Sequence, residues 1–77
     1  MDFKTTEEVL KVVRRAIKEG RRDRSYWWSD ASRVSVLTRV YVYKGMEFHV
    51  PNTRGHYVYV RPVGAHEEDS IPLAVVR

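Results

Sequence analysis

Arg39-Val40-Tyr41-Val42-Tyr43-Lys44-Gly45-Met46-Glu47-Phe48-His49-Val50 is the stretch whose reading decides the fold. Valine alternates with arginine or tyrosine over its first five residues, and successive side chains of a strand point to opposite faces. Lys44-Gly45 supplies a turn, and Met46 to Val50 runs back. Read as a three-residue loop, Tyr43-Lys44-Gly45 with Gly45 left-handed, the hairpin pairs Val42 with Met46, Val40 with Phe48 and Thr38 with Val50. This register gathers Val34, Val36, Val40, Val42, Met46, Phe48 and Val50 on one face and leaves Arg39, Tyr41, Glu47 and His49 on the other. A two-residue turn would mix the two sets, so the apolar pattern favours the longer loop.

Tyr57-Val58-Tyr59-Val60-Arg61 echoes the motif. The turn Pro51-Asn52-Thr53-Arg54-Gly55 precedes it, and the strand from His56 to Arg61 turns Val58 and Val60 inward and Tyr57, Tyr59 and Arg61 outward. Pro62-Val63-Gly64 ends this strand, and Ala65 to Asp69 is an acidic loop. Ser70 to Arg77 forms a last strand with Ile71, Leu73 and Val75 on one face. Pro72 lacks a ladder donor, which places the start of that strand at an edge.

Working back towards the N-terminus, Thr5-Thr6-Glu7-Glu8 reads as a capping box opening a helix. Val9, Leu10, Val13, Ala16 and Ile17 recur at helical spacing with Val12 at the margin, and Gly20 is placed as a left-handed C-cap. Lys11 to Arg24 holds seven cations against Glu19 and Asp23. Arg21, Arg22 and Arg24 read either as capping cations at the helix C-terminus or as a phosphate-binding patch. Ser25 to Ser32 is a polar connection carrying Tyr26, Trp27 and Trp28, and it offers material for a short first strand. Adjacent tryptophans in an extended segment point opposite ways, so one closes the core while the other covers its rim or meets a partner.

The 77 residues make a single small domain, 1–77, without cysteine, so apolar burial and hydrogen bonds must hold it. The expected fold is α+β, an N-terminal helix packed on a curved antiparallel sheet of three to five strands, with a small SH3- or Sm-like barrel as the alternative. No apolar run is long enough to cross a membrane and no signal pattern opens the chain, which points to a soluble cytoplasmic protein. The net charge of +4 favours acidic partners, whether nucleic acid or an acidic protein surface.

His49, His56 and His66 fall in separate elements without metal-ligand spacing, and no phosphate loop, nucleophile elbow or thiol occurs, so no metal or cofactor is expected. RNA-binding sheets stack bases on exposed aromatics and contact phosphates with arginine. Arg39, Tyr41, His49, Tyr57, Tyr59 and Arg61 supply both from one face, with Arg54 in the adjoining turn and Arg21, Arg22, Arg24 and Trp27 extending the footprint. The expected function is therefore nucleic-acid binding, RNA more than DNA. A partner-binding module, such as a small phage or virus inhibitor of a host protein or a homodimer, is the alternative, since partners also cover aromatic faces. A metal-independent ribonuclease is the second alternative, with Glu47 and His49 as base and acid.

A helix leading into strands resembles the plan of Sm-like RNA-binding proteins, and Arg39 to Phe48 follows their first strand pair; that likeness implies a five-stranded barrel. Gly55-His56-Tyr57 resembles the Gly-Ser-His strand of HicA-type mRNA interferases, with the serine absent. Each likeness covers only a fragment of the chain.

Overall fold

The computed structural model describes residues 6–53 and 55–75. Helix α1 (Thr6–Glu19) leads into strands β1 (Arg21–Ser29), β2 (Ser35–Tyr43), β3 (Met46–Pro51), β4 (Tyr57–Pro62) and β5 (Ile71–Val75), with a short 3-10 turn, η1 (Glu67–Asp69), before the last. The strands pair antiparallel in the order β1-β2-β3-β4-β5. This is the expected α+β plan with all five strands. β1 and β5 stand at opposite ends of the order, so the sheet stays open and the barrel alternative is not adopted. Thr5, with its capping role, and Arg54 lie outside the described residues.

The hairpin corrects the expected register. Lys44 and Gly45 both take positive φ, 51° and 76°, the signature of a two-residue type I′ turn whose twist suits the flanking strands. Tyr43 therefore faces Met46, Tyr41 faces Phe48, Val40 faces His49 and Arg39 faces Val50. Tyr41 and Arg39 consequently share a face with Phe48 and Val50, opposite to the face of Glu47 and His49. The apolar alternation misleads here because β2 buries side chains on both of its faces.

On one face, Phe48, Val58 and Val60 are buried with Val13 and Ala16 of α1, and Val12, Tyr41, Tyr43, Met46, Val50 and Leu73 pack around them. The tyrosines contribute their rings, and Tyr43 Oη donates to Glu19 Oε2 at 3.3 Å. On the other face Val36 and Val40 are fully buried outside that cluster. Two apolar residues assigned to the core sit elsewhere: Ile17 is 43% exposed, and Val34 is 46% exposed in the β1–β2 loop. The buried stripe of α1 is rotated towards Val12, away from Ile17.

Gly20 does not take a left-handed conformation. It is needed for close approach: a Cβ there would lie 2.4 Å from the Ala16 carbonyl oxygen and 2.7 Å from that of Val42. The helix therefore ends hard against β2 and the chain enters β1 at once. Arg21 to Ser29, expected as a cap and a polar connection, is a nine-residue edge strand with an irregularity between Arg22 and Arg24. Asp30 closes the following loop, its Oδ1 accepting from the amides of Ser32 (2.8 Å) and Val34 (3.0 Å).

Candidate functional site

The register determines what the face opposite α1 carries. β1 contributes Arg24, Tyr26 and Trp28, paired with Val40, Thr38 and Val36; β3 contributes Glu47 and His49; β4 contributes Arg61 and Tyr59, paired with those two, and Tyr57. Apart from Glu47, these charged and aromatic side chains line a groove of about 700 Å³ on the curved sheet, together with His56, Glu67 and Ser70.

Behind the lining residues Arg24, His49 and Arg61, Glu47 is 8% exposed and surrounded by donors. Arg24 grips it with two N–H groups, Nη1 to Oε2 at 3.2 Å and Nη2 to Oε1 at 3.3 Å. Arg61 Nε donates to Oε1 at 3.3 Å, and His49 Nε2 lies 3.0 Å from the same oxygen. Burial pushes the Glu47 carboxyl up, but the hydrogen bonds from Arg24, His49 and Arg61 outweigh it and hold the group down at about 2. Two guanidiniums sharing one carboxylate leave an excess of positive charge there. Asp23 reduces it, accepting from Arg24 at 2.9 Å and Arg21 at 3.0 Å, contacts that lower its own pKa.

His49 is 4% exposed, and burial depresses its pKa against the upward pull of Glu47. Its Nδ1 lies 2.9 Å from the hydroxyl of Tyr26, whose phenol is pushed up by burial. The chain Tyr26–His49–Glu47 thus runs from the groove wall into the sheet. A general base needs a free acceptor, and in this arrangement both nitrogens of His49 are engaged while Glu47 accepts from three side chains.

The aromatic walls are fixed as well. Trp28 Nε1 donates to Thr38 Oγ1 at 2.8 Å, so the indole presents its ring and not its N–H. Its neighbour His56 meets the ring edge-on at 5.1 Å and is tethered through Nε2 to Asp30 Oδ2 at 3.2 Å. Tyr57 and Tyr59 stand two residues apart on β4 with ring centroids 6.4 Å apart, 48% and 41% exposed. Both residues are thus half open to solvent beside the groove, where a planar group can approach them.

Of the residues singled out from sequence, Arg24, His49, Tyr57, Tyr59 and Arg61 line the groove together. Arg21 lies beside it through Asp23, and Arg22 opposes Tyr41. Arg39, Tyr41 and Trp27 belong to the other face. Tyr41 is committed to the core, the Nε of Arg39 is buried without a hydrogen-bond partner, and Trp27 is 66% exposed. Sequence reasoning left Tyr26, Trp28 and His56 out of the binding set. The signal for the first two was present, since Arg24, Tyr26 and Trp28 alternate with Ser25, Trp27 and Ser29 at the strand period. No group of three or more His, Asp or Glu that could hold a metal occurs among the described residues. Nor is any described helix long and apolar enough to cross a membrane.

Fold and groove define an open-sheet α+β protein with an aromatic, arginine-lined cleft. No protein family, curated protein or solved structure matches this chain.

Proposed function

We propose that this chain binds single-stranded nucleic acid, RNA in preference to DNA, in the groove opposite α1. The observation that carries this reading is that Tyr26, Trp28, Tyr57 and Tyr59 surround Arg24 and Arg61 in one cleft. Stacking on such rings contributes about 1–3 kcal/mol per base and tolerates sequence variation. The guanidiniums suit phosphates, and Glu67 in the groove lining suits the amino groups of bases.

Because Arg24 and Arg61 already share Glu47, stacking carries most of the affinity and salt dependence is shallow. Engaging one or two phosphates on a single strand gives a log–log slope of about −0.7 to −1.4. Fluorescence anisotropy with a labelled single-stranded RNA over a salt series measures this. Tyr59→Ala should weaken binding by about 1–3 kcal/mol while changing stability by no more than about 0.5 kcal/mol. An unchanged affinity in both Tyr57→Ala and Tyr59→Ala would remove the groove from the interface.

The exposed Trp27 on the α1 face favours a second reading, in which that side docks on a protein partner or a second copy. A dimer by light scattering that dissociates in Trp27→Ala would support it.

A further inference from the structure

We infer that the Tyr26 hydroxyl is a directional hydrogen-bond acceptor that reads the ribose 2′-hydroxyl, and that it is what makes the groove prefer RNA to DNA. This rests on the nucleic-acid reading above and adds to it the atom that tells the two apart.

The direction follows from the buried end of the chain outward. Glu47 is an anion held by Arg24 and Arg61 and has no proton to give, so the 3.0 Å contact with His49 takes its proton from Nε2–H. Burial keeps the ring neutral, which leaves Nδ1 bare, with a lone pair aimed at Tyr26. The 2.9 Å contact between Nδ1 and Tyr26 Oη must then be filled by the phenol's own proton. With its O–H turned inward, Oη offers a partner in the groove only lone pairs.

Beside the guanidiniums the polar groups divide by role: the Trp28 N–H is taken by Thr38, Arg24 and Arg61 are donors without acceptor capacity, and Tyr26 Oη accepts, as does the Glu67 carboxylate that also lines the groove. A phosphate, which only accepts, is drawn to the guanidiniums and finds nothing at Tyr26. The 2′-hydroxyl is a donor carried on every ribose beside its phosphate, absent from DNA, and it is the group by which proteins distinguish the two. A backbone whose phosphate sits on Arg24 or Arg61 therefore has a donor to give to Tyr26 only when its sugar is ribose.

The test uses three uracil-containing oligonucleotides of one sequence, with ribose, deoxyribose and 2′-O-methyl-ribose, against the wild-type chain and Tyr26→Phe. The 2′-O-methyl strand keeps an oxygen at that position but cannot donate. Wild type should bind the ribose strand roughly three- to tenfold tighter than either of the others, the worth of one neutral hydrogen bond. Tyr26→Phe should lose that ratio by weakening the ribose strand alone. A purely structural role for Tyr26 would weaken all three strands alike and overturn the inference. Equal binding of the three strands by wild type, or a ratio that survives in Tyr26→Phe, would also overturn it while leaving the groove as a nucleic-acid site. Failure of wild type to bind any strand would overturn both readings.

Discussion

Acidification should destabilise the chain in two stages, and Glu47 sets the lower one. Its carboxyl is held at about 2 in the folded chain against an ordinary value of 4.5. A depressed folded pKa means stability that is present in full above 4.5 and is lost as the pH falls from there towards 2. The gap between 4.5 and about 2, at roughly 1.4 kcal/mol per pH unit, corresponds to about 3 kcal/mol. Small domains are stable by only about 5–15 kcal/mol, so this is a large share of the total. His49 acts in the same direction at higher pH: its folded pKa is lowered from 6.5, so the unfolded chain gains a proton first and stability begins to fall below that pH. Urea unfolding followed by tryptophan fluorescence at pH 7, 5 and 3 measures the loss. Glu47→Gln should be less stable at pH 7 by about 3–5 kcal/mol, because two guanidiniums lose their buried counter-charge, and its stability should change less than wild type's between pH 4.5 and 2. Should that variant fail to fold, a carbon-13 titration of the wild-type carboxyl decides the matter. An inflection near the ordinary 4.5, or identical pH slopes in the two proteins, would refute the claim that Arg24, His49 and Arg61 hold the charge.

Gly20→Ala should lower Tm by at least about 4 °C in a thermal melt, since its Cβ would meet two backbone oxygens that cannot move without shifting α1 against β2. Tyr41→Ala should cost about 2–3 kcal/mol in urea unfolding by opening the packing round Phe48, whereas Tyr57→Ala, half exposed in the groove, should stay within about 0.5 kcal/mol of wild type. Equal effects would mean that the two tyrosine strands do not present their rings to opposite sides.

The helix, the hairpin positions, the strand at residues 57 to 62 and the edge placement of Pro72 were all legible, because each carries a local signal of periodicity, turn chemistry or a missing donor. The register of β2 against β3 was not. Valine at positions 36, 40 and 42 looked like a core face because a strand with one buried side alternates in that way. β2 is buried on both sides, however, and Tyr41 can be a core residue because its ring packs while its hydroxyl need not be buried with it. The turn itself held the better clue: Lys44-Gly45 can close in two residues once Lys44 accepts a positive φ, and this one-residue difference exchanges which side chains share a face. β1 was obscured by its charges. Arg21, Arg22 and Arg24 resemble the end of a helix, and only the sheet shows that Arg24 runs beside Glu47 as its counter-ion. Half of the groove was therefore readable from β3 and β4, and the half contributed by Tyr26 and Trp28 depended on a strand whose composition suggests a loop.

An open sheet leaves two rows of unpaired backbone groups, and such rows invite other chains to add on and build aggregates. The two ends of this sheet are guarded by different means. Along β1 the register breaks at Asp23 in the midst of Arg21, Arg22 and Arg24, so an incoming strand would meet both a misaligned ladder and a line of charge. On β5, Pro72 has no N–H to offer a ladder. Arg24, which secures Glu47 from β1, thus also adds to the charge that disfavours strand addition at that strand's edge.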